Sequence, residues 1–310
     1  FSACLSPEVG IVWSERNELM FGVDMIQDFG HDSKFLSDIA PSFYYGYRAP
    51  RVKLFAGIIP RNEMRGLRST LYFDRRYTYY NKNIAGVLAR YENPSFGSSY
   101  LEFAMDYTGM RSYDTRESFM IMSAARHTLP CGFGFGYDFL MGHYAKDYNP
   151  DTNDGVVDNV MLTPFIGYTH TFAMGEDRPN LGLCAEAKYI LSLQRDRIME
   201  NVWQAPQGVE VMVEAEWYGA IVRNRLYVGN NLLTYYNRYG ADLYHGSPFY
   251  STQKGLFNAI ELGYRQLFCD DILSLEAGVS IDYDGVAWGT RQFISLSVNF
   301  NHGFDLRKNK

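Results

Sequence analysis

The residues best equipped for chemistry crowd into one stretch. Between positions 59 and 84 lie Arg61, Arg65, Arg68, Arg75, Arg76 and Lys82, opposed only by Glu63 and Asp74, in a chain whose net charge is −6. Guanidinium groups grip carboxylates and phosphates through paired hydrogen bonds. Such a segment would select anions where it narrows a channel, hold lipid phosphates at a membrane surface, or pair with acidic groups of its own protein. The five arginines are expected to form an anion-attracting constriction. A second segment, 230–255, carries Tyr235, Tyr236, Tyr239, Tyr244, Phe249 and Tyr250 among Asn, Gly and Ser; it would either stack on sugar rings or pack on its neighbours.

Other chemistry is poorly supported. Asp151, Asn153, Asp154 and Asp158 have the composition of a calcium loop but lack its register and its distal Glu. The six histidines, His31, His127, His143, His170, His245 and His302, are scattered without metal or protease spacing, and the four cysteines form no C-x-x-C pair. No metal, cofactor or catalytic residue is expected, and the protein is read as a non-enzyme. An esterase would need a Ser–His pair within hydrogen-bond reach on one face; His170 is the nearest approach.

The elements that carry these groups are strands. Val209, Val211, Val213, Ala215 and Trp217 alternate with Glu210, Glu214 and Glu216, and Leu273 to Tyr283 repeats the pattern. A period of two puts the apolar set on one face and the charged set on the other. Candidate strands fall near 8–14, 18–26, 42–48, 51–58, 85–92, 99–107, 118–126, 131–144, 157–172, 181–192, 208–218, 221–229, 256–266, 272–283 and 291–300. Many run to roughly ten residues, longer than the globular average of about five or six. Connections alternate between short turns and long loops. That is the plan of an up-and-down transmembrane β-barrel of about 14 to 16 strands. Either segment 8–14 lies outside the barrel, leaving about fourteen strands, or a strand preceding Phe1 completes about sixteen; the second is favoured. Residues 1–300 form the barrel and 301–310 a short basic tail.

Composition agrees. Of 310 residues, 16% are aromatic, with 25 Tyr and 21 Phe, as interfacial girdles require. The mean hydropathy of −0.25 is the average of an apolar outer face and a charged inner one. Arg90, Glu102, Asp106, Glu210, Glu214, Glu216, Arg223 and Arg225 fall on the charged face and are expected to line the lumen, with water among them. A pI of about 5.6 gives no basic field for nucleic acid.

On this alternation, and on a late strand ending in Phe300, the chain resembles porin-like outer-membrane β-barrels of Gram-negative bacteria, in the Tyr-rich, long-loop style of the Bacteroidota. The resemblance implies an outer-membrane location, contact with lipid and lipopolysaccharide, and passive diffusion of small hydrophilic solutes, with a homo-oligomer or a larger outer-membrane complex as possible assemblies. The alternatives are a non-conducting structural or accessory barrel and, behind it, an outer-membrane esterase or phospholipase.

Overall fold

Alternation does what it dictates: each apolar–polar repeat becomes a strand whose apolar set faces away from the interior. The computed structural model describes residues 1–93, 99–149, 155–175, 179–269 and 272–298. Phe300, the basic tail and Asp151 to Asp154 lie outside them. The strands are β1 (Ser2–Leu5), β2 (Glu8–Trp13), β3 (Asn17–Asp28), β4 (Asp38–Arg48), β5 (Val52–Pro60), β6 (Asn83–Glu92), β7 (Tyr100–Gly109) and β8 (Ser118–Thr128). They continue with β9 (Phe133–Tyr144), β10 (Val157–Phe172), β11 (Leu181–Asp196), β12 (Gln207–Trp217), β13 (Ala220–Gly229), β14 (Leu256–Phe268), β15 (Leu273–Tyr283) and β16 (Trp288–Val298).

All belong to one 16-stranded sheet in which each strand from β3 onward pairs antiparallel with the next. All fifteen strands read from the sequence are present. The one missed, β1, has four residues, too few to show a period. Segment 8–14 is not an outlier, since β2 pairs with β3 (Glu8↔Gly22), as β1 does further along (Cys4↔Ile26). β1 and β2 therefore share one edge of β3, interrupted at Ser6 and Pro7. Short connections are tight: between β12 and β13, Tyr218 and Gly219 both have positive φ, 51° and 79°, the type I′ geometry that suits the twist of a hairpin. A Cβ on Gly219 would lie 2.2 Å from the Arg265 carbonyl oxygen, so only glycine fits.

The sheet curls, as one connection proves. Helix α1 (Arg75–Tyr80) is a single short element, yet Arg75 reaches Glu276 on β15 at 3.4 Å while Lys82, just past the helix, reaches Cys4 on β1 at 2.8 Å. Laid flat at about 4.8 Å per strand, those two strands would stand some 60 Å apart. Bringing them within reach of one eight-residue segment requires the sheet to wrap around that segment.

What it wraps is in large part its own loops. The connection 61–82 and the connection 230–255, with its helix α2 (Tyr236–Leu243), both fold inside. Leu67, Leu71, Tyr72 and Phe73 of the first, and Leu232, Leu233, Tyr239, Tyr244 and Tyr250 of the second, join inward wall residues such as Phe55, Ile84, Leu88, Met122, Ile190, Tyr227 and Phe257 in one buried cluster. The wall's carboxylates fasten the first loop by its backbone. Glu102 accepts from the Arg65 and Gly66 N–H groups at 3.0 and 2.9 Å and from Arg90 at 2.9 Å, and Asp138 accepts from the Leu67 N–H at 3.1 Å. Glu102 is 1% exposed. Removing it leaves the Arg65 and Gly66 amides without their acceptor, while Arg90 keeps Glu92 at 2.7 Å, so E102A is expected to lose about 1–3 kcal/mol of stability, read as a lowered urea midpoint, with E102Q losing less.

Candidate functional site

Of the five arginines only Arg61 is buried, and four of the five meet partners within the protein. Arg61 binds Asp106 at 2.8 Å and the Asn81 and Asn83 carbonyls, with its guanidinium over the Phe73 ring. Arg65 pairs with Glu92 at 3.3 Å, Arg68 turns back onto the Met64 carbonyl, and Arg75 lies over Phe293 beside Glu276. Arg76 is exposed and makes no ion pair among the described residues. The wall charges are likewise matched across strands. Arg90 meets Glu102, Arg223 meets Glu214 at 2.6 Å and Glu261 at 2.7 Å, and Glu210 lies between Lys188 and Arg225 with the Tyr250 hydroxyl donating to it. Glu216 sits exposed near the β12–β13 turn. The expectation of water among unpaired charges is therefore corrected: opposite signs neutralise each other and two loops occupy the space.

Among the described residues one Ser–His hydrogen bond is present. Ser99 Oγ and His127 Nδ1 are 3.2 Å apart at the short-turn end of β7 and β8. Ser99, however, is 5% exposed, and its hydroxyl also accepts the Thr128 N–H at 3.1 Å, the arrangement of a turn brace. His170 stacks on Tyr168 and edges onto Phe172, with no serine against it.

A third group lies at the long-loop end, on the outward face. Backbone register places Phe119 of β8 opposite His143 of β9, His143 opposite Asp158 of β10, and Asp158 opposite Arg195 of β11. Partners in an antiparallel ladder share a face, so the four side chains form one row. Phe119 stacks on the imidazole at 4.8 Å, and His143 Nδ1 stands 4.0 Å from Asp158 Oδ1. The carboxylate is fixed from its far side: Arg195 donates Nε and Nη2 to Oδ2, and Arg197 donates Nε to Oδ2 and Nη2 to Oδ1, at 2.8 to 3.1 Å. Arg195 also lies over Trp203 at 4.5 Å. Among the described residues neither arginine spends Nη1. The row thus sets an imidazole beside a carboxylate that two guanidinium groups hold, and at 4.0 Å the imidazole–carboxylate contact is a loose ion-pair distance and not a hydrogen bond. Among the described residues no Ser, Thr or Cys hydrogen-bonds His143, and no cluster of His, Cys, Asp and Glu has a metal-holding arrangement.

Fold and row together define a class: a β-barrel with an apolar outer belt, an interior filled by its own loops, and a titratable row on its outer wall. The chain belongs to the lipid A 3'-O-deacylase-type family, whose model matches residues 1–310. No curated protein matches it. Among solved structures it is similar to an anion-selective porin from Comamonas acidovorans, at 11% identity and a TM-score of 0.48, over 90% of this chain and 78% of that one. The family is named for an enzyme, and this overturns two expectations, that the protein is a passive porin-like channel and that it is not an enzyme. The physical reason is visible in the interior, where the basic loop that was to select solutes is instead bonded to the wall.

His143, Asp158, Arg195 and Arg197 were not read as a site. The signal available was parity: His143 continues the apolar set Phe133, Phe135, Tyr137, Phe139 and Met141, and Asp158 the set Leu162, Pro164 and Ile166. A charge on a lipid-facing parity is costly, and so makes its position a candidate for function.

Two measurements follow from the filled interior. In planar bilayers the folded protein is expected to give no porin-like current steps; large stable steps would mean the loops leave the lumen. His245, stacked on Tyr77 at 4.2 Å, is held neutral mainly by burial, the Ala241 carbonyl opposing and Arg61 adding, so that its pKa falls to about 4. In the unfolded chain it titrates near 6.5. Below that value only the unfolded state takes up the proton, so stability falls as pH drops from about 6.5 to about 4. Urea midpoints of H245F are expected to lack this component.

Proposed function

We propose that the protein is an outer-membrane ester hydrolase that removes acyl chains from lipid A or a closely similar acylated glycolipid, with His143 as general base. Membership of the deacylase family carries this reading, and the outward row supports it in detail. The row lies at the long-loop end, which in barrels of this kind faces the outer leaflet, and it opens towards lipid rather than towards the lumen.

The chemistry follows from the groups present. In this proposal water is the nucleophile. His143 takes a proton from water as its oxygen adds to the ester carbonyl carbon. Asp158 orients the imidazole and balances the imidazolium. Negative charge gathers on the carbonyl oxygen, and in this proposal the guanidinium groups of Arg195 and Arg197 are the cations that stabilise it. The tetrahedral intermediate collapses with cleavage of the bond between carbonyl carbon and alcohol oxygen, and His143 returns its proton to the departing alkoxide. The products are a free fatty acid and the de-acylated alcohol.

Mass spectrometry of lipid A micelles incubated with purified protein tests this. Wild type is expected to release fatty acid. H143A and D158N are expected to lose about 10²–10⁴-fold in kcat, while S99A retains activity. Loss of activity in S99A with full activity in H143A would move the site to the turn brace.

A further inference from the structure

The connection that fills the lumen ends on a thiol. Cys4 of β1 lies opposite Ile26 of β3, a buried residue of the inner face, and partners across a ladder share a face. Lys82, the last residue before β6, meets it there. Its Nζ donates to Cys4 Sγ at 2.8 Å and to Ser6 Oγ at 3.3 Å. The lysine has no carboxylate within ion-pair distance among the described residues. Asp24, which follows in the same run of contacts, is taken up by the Ser6 hydroxyl at 2.5 Å and by Asn83 Nδ2 at 2.8 Å. Thiol and amine are therefore each other's shortest polar contact, Cys4 having only Ser6 besides, at 3.4 Å.

The other three thiols stand elsewhere. Cys131 lies in the turn between β8 and β9, Cys184 near the start of β11 and Cys269 just past β14, all at the short-turn end. Cys4 and Lys82 lie at the long-loop end, where β3 finishes and β6 begins. None of the four cysteines is in a disulfide, and Cys4 is partly exposed. A thiol beside a cationic amine and open to solvent is the kind that oxidants reach. The sulfenic acid so formed condenses with whatever nucleophile is nearest, a second thiol or a nitrogen. At Cys4 the second thiol is missing and the nitrogen is in contact.

We propose that Cys4 and Lys82 form an oxidisable pair, in which a peroxide converts the thiol to a sulfenic acid and the Lys82 amine captures it as a sulfenamide. In the first step Cys4 Sγ attacks the peroxide; an S–O bond forms, the O–O bond breaks, and the departing oxygen leaves as water with the thiol proton. In the second, Lys82 Nζ attacks the sulfur; an S–N bond forms, the S–O bond breaks, the hydroxyl leaves as water and the surplus proton of the ammonium goes to solvent. Sulfur is oxidised and one peroxide is reduced. The bond ties β1, a four-residue strand paired along one edge, to the connection packed inside the sheet. The proposal is independent of the hydrolase reading.

Reduced, folded full-length protein treated with hydrogen peroxide and then digested with trypsin tests it. The link is expected to join peptides 1–16 and 77–90, with cleavage after Lys82 lost and a combined mass two hydrogens below the sum, and a thiol reductant is expected to reverse it. The oxidised protein is expected to show a raised urea midpoint, as a covalent cross-link gives. In K82M the sulfenic acid is left uncaptured, so dimedone, which caps that group, is expected to label Cys4 in the variant and not in the wild type. K82R, which keeps the cation and loses the amine, serves the same purpose if K82M does not fold. Wild-type Cys4 that stays reduced, enters a disulfide or proceeds to sulfinic acid while Lys82 is still cleaved would overturn the pair. Linked peptides heavier by an oxygen atom would overturn the sulfenamide as the product.

Discussion

Buried carboxylates on the inner wall are the constraint on which the rest depends. A strand that alternates apolar and charged residues must turn its charges somewhere, and in a curled sheet whose outer face is apolar they turn inward. There they need partners, because an unpaired interior charge costs several kcal/mol. Glu102, Asp138 and Glu210 find them partly in neighbouring strands and partly in the loops: backbone N–H groups of residues 65–67, and the hydroxyl of Tyr250. The loops in turn need the carboxylates, since their own amides would otherwise be unsatisfied inside the barrel. Wall and filling are therefore mutually required. The result is an interior in which most charges are matched, aromatic rings pack on one another and two loops occupy much of the space.

The same alternation governs the outside. Val209, Val211, Val213, Leu226, Val228, Ile166 and Phe135 stand exposed on the outward face, the continuous apolar surface that lipid covers. Against that background His143, Asp158, Arg195 and Arg197 break the rule. Their mutual arrangement reduces the cost of doing so, since Asp158 is gripped by two guanidinium groups and stays charged at little penalty. Position reduces it further, because the row lies at the strand ends where headgroups and water begin. A set of groups that is expensive to place and yet individually well supported is what a site needs, and a merely structural ion pair would have been simpler to bury inside with the others.

The architecture was legible in the sequence to a large degree. Fifteen strands and the face that each presents follow from period-two patterning alone, because that pattern is local. Only β1, four residues long, fell below what periodicity can show. The entry of segment 59–84 into the interior was legible as a basic loop opposed by an acidic wall. Its consequence was not, because a charge inventory does not say whether opposite charges meet. Arg61 and Asp106 are 45 residues apart in sequence and 2.8 Å apart in space, and only register and curvature bring them together. The outward row was hidden for the same reason. His143, Asp158 and Arg195 belong to three strands and become a site only when the ladders β8–β9–β10–β11 are aligned, so no spacing within one segment could reveal them.

Alignment of those ladders also explains why a filled barrel suits chemistry on its outer wall. Asp158 lies on β10, which is paired on both sides from Val157 onward, to Tyr144 of β9 and to Asp196 of β11. A shift of one residue in either ladder would send Asp158 inward and Asn159 outward, exchanging the acid for the amide. The packed interior resists that shift, because Met161 lies in the buried cluster with the loops and Thr163 accepts a 2.5 Å hydrogen bond from the Tyr72 hydroxyl. The plug therefore does for the outer row, the proposed site, what a hydrophobic core does for a surface site in a soluble protein: it fixes, from behind, the geometry of the groups that face outward.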